Sequence, residues 1–328
     1  MRSELLNRCQ LFILNRDVIK GEFSWESAYI YPLCASLFTA QNKQANAASL
    51  RHCLNLLKQQ TGLFSAFRGT AKMATVTSLS FAKNPEEKLT RLLYIYSELK
   101  GYFFGSEYLS VAASSIVDMA DPADYQSIVH RTRVIYERMK AAHPFLTSRE
   151  DSAFAALLAL SKLDDVRIEQ EMERCYTLLK PYFFSGNAVQ SLSHILSLDS
   201  RPAENKCRRA VEIFEFLKAR GYKYGTSYEL FTLGVLALLD VPVETLAGEM
   251  IEVDGFLKTQ KGFGTLGVGA RQRLMYAALL TMCDYVPEVQ TMHTAALKGV
   301  VSLVVAQQTA LCAAMAASAA AASVSVSN

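Results

Sequence analysis

Residues 84–119, NPEEKLTRLLYIYSELKGYFFGSEYLSVAASSIVDM, hold the pattern that decides the fold. Asn84-Pro85-Glu86-Glu87 is a helix start: an Asn oxygen for the free N–H groups, a proline whose fixed φ suits the first turn, and two acids at the positive end of the dipole. Residues 89–100 then space their charges on one face, as a helix does with one side in water. Tyr102-Phe103-Phe104-Gly105 ends that periodicity with a turn carrying an apolar plug. Residues 108–119, and more strongly 152–160, are apolar almost all round, so they must be covered on every side. The unit is a helical hairpin with an outer first helix and an inner second one.

The unit recurs. An apolar residue followed by lysine ends the outer-helix pattern at Leu57-Lys58, Leu99-Lys100, Met139-Lys140, Leu179-Lys180, Leu217-Lys218 and Leu257-Lys258, in steps of 42, 40, 40, 38 and 40. Ile19-Lys20 stands 38 before the first and Leu297-Lys298 stands 40 after the last. An aromatic or glycine turn follows each anchor: Phe23 and Trp25, Phe64 and Phe67, Pro144-Phe145, Pro181-Tyr182-Phe183-Phe184, Tyr222 to Gly225, and Gly262-Phe263-Gly264. Second helices are expected over 152–163, 188–198, 228–239 and 271–283. Proline-containing starts at Asp121-Pro122, Arg201-Pro202 and Asp240-Val241-Pro242 give the same period independently. Residues 75–81 alternate weakly, but their place in the repeat makes them an inner helix. The expected fold is all-α, helical-hairpin repeats of about 40 residues, closing as an α/α toroid, with an open α-solenoid as the alternative.

Composition sets outer bounds. Of 328 residues 51% are hydrophobic, enough for a large core, and only 24 are Gly or Pro. The net charge of +3, from 34 basic against 31 acidic residues, argues against a nucleic-acid partner. Seven scattered cysteines include no C-x-x-C pair and read as reduced core thiols. Arg2, Glu4, Arg8, Arg16 and Asp17 interrupt the first apolar stretch, which therefore lacks the uncharged core of a secretory signal; the expected location is cytoplasmic.

Residues 299–328 carry no charged side chain, and 299–322 are long enough to span a bilayer. Gln307-Gln308, the alanine run and the lack of a flanking basic cluster or aromatic belt favour a last helix packed on the preceding hairpin over membrane contact through this tail. The domain reading is one repeat domain, 1–298, followed by an Ala-rich C-terminal helix with a frayed end, 299–328.

Motifs for known chemistry are weak. Gly262-x-Gly264-x-x-Gly267 spells the dinucleotide fingerprint but follows a helix instead of a strand, so it reads as a turn; ahead of Arg271 and Arg273 it is at most an anion site at a helix start. Ser80-x-x-Lys83 and Ser97-x-x-Lys100 lack the other serine-acylase elements. The five histidines are not paired at ligand spacing, and no metal or cofactor is expected. Stacking the repeats puts Arg68, Glu107, Arg149, Glu150, Asp151 and Arg271 on one rim, near the starts of the inner helices. Glu107, Glu150 and Asp151 are the catalytic candidates, although acids suit any helix start. Arg68, Arg149 and Arg271 oppose the dipole there, which makes them the ligand-binding candidates.

Leu63-Phe64-Ser65-Ala66-Phe67-Arg68-Gly69, the Lys-aromatic hairpins and the uncharged Gln-Gln, Ala-rich end resemble, over nearly the whole chain, a bacterial family known only as a domain of unknown function. That resemblance implies no activity, cofactor or catalytic residue. In repeat geometry, and in Gln260-Lys261-Gly262-Phe263-Gly264 before an inner helix, the chain also resembles α/α toroid proteins such as terpenoid cyclases, prenyltransferases and six-hairpin glycosidases. It has no Asp-rich cyclase motif and no prenyltransferase zinc-ligand set, so those activities do not carry over. The functional expectation is a binding or scaffold module that holds a protein segment or a small polar ligand in a concavity or at the rim. The alternative is an α/α-toroid enzyme acting on a carbohydrate or other polar anionic substrate with the rim carboxylates.

Overall fold

A computed structural model describes residues 1–26, 28–63, 65–69, 71–264 and 267–285. Leu297-Lys298, the domain boundary at 298 and the tail reading lie outside the described residues, as do Phe64 and Cys312. The described chain is all-α, with fourteen α-helices and no strand among those residues.

The outer helices are α1 (Ser3–Glu22), α3 (Ala47–Gln60), α5 (Pro85–Lys100), α7 (Tyr125–Ala142), α9 (Asp165–Leu179), α11 (Ala203–Ala219) and α13 (Val243–Lys258). The inner helices are α2 (Ile30–Ala40), α4 (Lys72–Ser80), α6 (Glu107–Met119), α8 (Asp151–Ala159), α10 (Gly186–Leu196), α12 (Phe231–Ala237) and α14 (Ala270–Tyr285). Each outer helix buries a narrow stripe at spacings of three and four, such as Ile168, Met172, Cys175 and Leu179 in α9. The anchors Ile19, Leu57, Leu99, Met139, Leu179, Leu217 and Leu257 are the last buried position of these stripes. The lysine after each is exposed, beside the last carbonyls of its helix. Cys9, Cys53, Cys175 and Cys207 occupy stripe positions as free, buried thiols.

Side-chain caps start the helices where the sequence offers them. Asn84 accepts from the Glu87 N–H, Ser106 from Leu109, Ser185 from Ala188, and Asp164 from both Val166 and Arg167. The inner helices are covered on every side: all residues of α8 and α12 are buried, as are the last nine of α10 and twelve successive residues of α14. Phe154 of α8 reaches Phe231 of α12, ring centres 5.8 Å apart, past the helix between them. Gly234 allows α12 to lie close on α10, since a Cβ there would stand 2.7 Å from Leu192 Cδ1.

Two inner helices end before their apolar runs do. Arg131 of α7 donates to the carbonyls of Ala159, Ser161 and Leu163, and Arg209 of α11 donates to those of Ala237, Leu239 and Val241. A guanidinium from the paired outer helix thus takes the carbonyls at and beyond the C-terminus, and the chain leaves the helix at Ala159 and at Ala237 instead of running to 163 and 239.

Successive outer helices pack on one another, and so do the inner helices α2 with α4 and α6 through α14; α4 meets α6 through the Ser78 and Ser114 hydroxyls, 3.3 Å apart. The first hairpin also packs on the seventh, the last among the described residues: α1 lies against α13 and α14, and α2 against α14. Phe12 of α1 sits 5.6 Å from the Tyr276 ring and 6.0 Å from the Phe263 ring. Polar bonds line the same junction. Arg2 pairs with Glu249 at 2.6 Å and with Asp284 at 2.8 Å, Arg8 donates to Asp284, and Arg16 donates to the Lys261 carbonyl at 2.7 Å.

Candidate functional site

Two places beside the described turns from outer to inner helices gather functional groups. The first is the start of α8. Asp151 and His194 are each 2% exposed, with Asp151 Oδ1 3.6 Å from His194 Nδ1. That separation exceeds a hydrogen bond and leaves Nδ1 without a partner among the described residues. The other carboxylate oxygen, Oδ2, accepts from the Ser148 N–H at 2.7 Å. Beside them Gln190 donates to the Thr147 hydroxyl at 3.0 Å.

Burial dominates the electrostatics here. Desolvation pushes the Asp151 carboxyl up to about 7, against the opposing Ser148 hydrogen bond and with help from Glu150. Desolvation and the nearby His143 push the His194 imidazole down to about 3. Glu150 is raised by burial, and the Tyr108 phenol is raised by burial and then by Glu150, Glu107 and Asp151. The three candidate carboxylates thus all act electrostatically on one tyrosine, and the arrangement combines an acid that titrates near neutrality with an uncharged imidazole. His194 went unrecognised in the sequence because it lies in an apolar inner helix, far along the chain from Asp151.

The arginine candidates do not converge. Arg68 donates to the Thr61 hydroxyl at 3.1 Å and to the Lys58 carbonyl, closing the C-terminal turn of α3. Its position at an inner-helix start thus serves the preceding outer helix. Arg149 and Arg271 are exposed and make no side-chain hydrogen bond or ion pair among the described residues. Arg273 is buried against Asp254, with Nε–Oδ1 at 2.6 Å and Nη2–Oδ2 at 3.2 Å.

The second place is a pocket at the junction of the first and last hairpins, with a volume of about 680 Å³. Its walls are Tyr29, Tyr31, Pro32 and Phe263, and its charges are Arg16, Lys20 and Lys261 against Asp17. Arg16 is fixed by Asp17, by the Lys261 carbonyl and by the Phe263 ring, whereas Lys20 and Lys261 are exposed and without an ion pair among the described residues. The floor is the glycine turn. Gly262 has φ +91°, the Val268 N–H donates to its carbonyl at 2.9 Å, and a Cβ on Gly267 would stand 2.2 Å from that oxygen. Among the described residues no group of three or more His, Cys, Asp or Glu side chains is placed to hold a metal ion, and no helix is long and apolar enough to cross a membrane.

Fold and rim together define an all-α protein of repeated helical hairpins. The chain belongs to the family of proteins of unknown function DUF4003, whose model matches residues 15–309. It is similar to the uncharacterized protein YeaA of Bacillus subtilis (strain 168), 20% identical over 232 residues that cover 68% of this chain and 70% of that one. No solved structure matches it.

Proposed function

We propose that this protein is a binding module whose hairpins close into an α/α ring, and that the pocket at the closing seam holds a small anionic ligand. The observation that carries the reading is the pocket itself: two exposed lysines, without an ion pair among the described residues, at an aromatic-walled cavity where the first and seventh hairpins meet. Closure is supported by the Phe12 ring contacts and by the Arg2, Arg8 and Arg16 bonds across that junction. A cavity of this size suits a metabolite, and the charge balance favours phosphate or carboxylate.

The test is thermal unfolding of the full chain with inorganic phosphate, citrate and nucleoside monophosphates, beside a Lys20→Ala, Lys261→Ala double variant. A ligand at a hundred times its dissociation constant adds about 2.7 kcal/mol. Stabilisation of the wild type that the double variant loses supports the reading; equal stabilisation of both refutes it.

Asp151 and His194 favour a second reading, an acid–base enzyme acting on a polar substrate with Glu107 and Glu150 nearby and Arg149 at the surface. An acid poised near 7 beside a neutral imidazole is suited to moving a proton at neutral pH. Under this reading Asp151→Asn abolishes turnover of a responsive glycoside or phosphate ester without lowering the unfolding temperature. Unchanged turnover removes it.

A further inference from the structure

The aromatic turns hold more apolar surface than packing requires. In five consecutive hairpins the described turn residues include one large apolar side chain that is packed and at least one that stands in solvent. Phe23, Phe67 and Phe183 are buried, and Phe103 packs edge-on against Tyr136 at 5.1 Å. Their companions are Trp25, 68% exposed, Leu63, 78%, Phe104, 83%, and Phe184, 98%; in the turn after α7, Phe145 is 99% exposed while Leu146 is half-buried. The packed member plugs its hairpin. Apart from the edge-on contact of Trp25 with Phe23 at 5.7 Å and the Lys180 ammonium over the Phe184 ring, the exposed members add nothing to the packing, and five of them in successive turns are far outside what scattered surface hydrophobics explain.

The acids near these turns, Glu107 and Glu150, are half-buried, so the exposed charge there is mostly lysine. The anchor lysine of each of these hairpins, from Lys20 to Lys180, is exposed and free of ion pairs among the described residues. The acids in the first turn are neutralised: Glu22 by Arg51 at 2.6 Å and Glu26 by Lys72. Lysine alternates with a projecting apolar side chain from hairpin to hairpin.

We propose that this rim is a membrane-docking face, which seats on a bilayer surface containing anionic lipid. Projecting phenylalanine and tryptophan enter the interface between headgroups and acyl chains, and lysines at the same level attract anionic headgroups. A second copy of the chain fits less well, since two such rims face to face would oppose lysine to lysine. Single-stranded nucleic acid is also disfavoured, because it needs a groove that tracks its backbone, and Leu63 offers no ring for a base to stack on. The proposal does not depend on the ligand assigned to the seam pocket.

The experiment is co-sedimentation of the full chain with vesicles of phosphatidylcholine alone and of phosphatidylcholine with one quarter phosphatidylglycerol. The wild type is expected to bind the anionic vesicles, less so at high salt. Phe104→Ser, Phe145→Ser, Phe184→Ser together are expected to weaken binding at least about tenfold, with the unfolding temperature unchanged because these side chains are exposed. Lys100→Gln, Lys140→Gln, Lys180→Gln together are expected to remove the preference for anionic vesicles. Wild-type protein that stays in the supernatant overturns the proposal, and so does a serine variant that binds as well as the wild type, which would place membrane contact elsewhere in the chain. A self-associated wild type that the serine variant converts to monomer assigns the rim to a second copy and overturns it too.

Discussion

Arg273→Met is expected to destabilise the fold by about 3–5 kcal/mol. Arg273 and Asp254 are 10% and 5% exposed and share two hydrogen bonds, at 2.6 and 3.2 Å, joining α13 to α14. Methionine fills much of the volume but leaves the Asp254 carboxylate buried without its counter-charge, and that orphaned charge is the larger part of the cost. Replacing both, Asp254→Leu with Arg273→Met, removes the orphan and is expected to recover most of the loss. For a chain of this length the single variant should melt roughly 5–10 °C below the wild type. Differential scanning calorimetry of the wild type, the two single variants and the double variant closes the cycle. A single variant that melts with the wild type, or a double variant no better than the singles, refutes the reasoning.

The buried Asp151 gives a pH dependence whose sign is fixed. Its folded pKa, about 7, lies above the ordinary carboxylate range, so between about pH 4 and 7 the folded state holds a proton that the unfolded chain releases, and its contribution to stability falls as pH rises. Asp151→Asn should therefore gain in unfolding temperature over the wild type between pH 5 and pH 8; a difference constant with pH contradicts the assignment. His194 acts in the opposite sense. With its folded pKa down at about 3, the unfolded chain takes up a proton below about pH 6.5 that the folded protein refuses, so His194→Gln should flatten the loss of stability on acidification. Gly267→Ala puts a Cβ 2.2 Å from a backbone oxygen and should cost about 1–3 kcal/mol, with loss of ligand stabilisation at the seam pocket; unchanged melting argues against the turn as drawn. Gly234→Ala, 2.7 Å from Leu192 Cδ1, should cost a similar amount, read in the same calorimetric series.

The hairpin repeat was legible because one physical requirement recurs at each outer-helix end: a last buried residue followed by a cation beside free carbonyls. Leu57-Lys58 through Leu257-Lys258 meet it in register, and all of those apolar residues are buried. Proline-containing starts marked the same boundaries, whereas the cap at Asp164 carries no proline and shows itself only through its hydrogen bonds. Less of the site was legible. Glu107, Glu150 and Asp151 follow from position in the repeat, but the partner His194 comes from the next hairpin, and nothing local distinguishes it from a packed histidine. Arg68 illustrates the opposite difficulty: it opposes the dipole of the helix it precedes, yet it caps the helix before. The seam pocket joins Arg16 to Lys261, residues near opposite ends of the described chain, and no periodicity encodes that contact. The aromatic turns were visible as plugs, but a one-dimensional pattern does not say which member of each pair faces out.

In the proposed ring the seam pocket forms where the first and seventh hairpins meet, so the distance between the first and seventh outer helices tests the account most directly. Spin labels on non-natural side chains at positions 20 and 258, both exposed lysines at the ends of α1 and α13, leave the buried cysteines untouched. Neighbouring packed helices lie about 10 Å apart, so a closed ring predicts one narrow distribution below about 25 Å once the label arms are included. An open array of hairpins at the same spacing would separate the labels by about 60 Å, and that distance would contradict the ring and the pocket together.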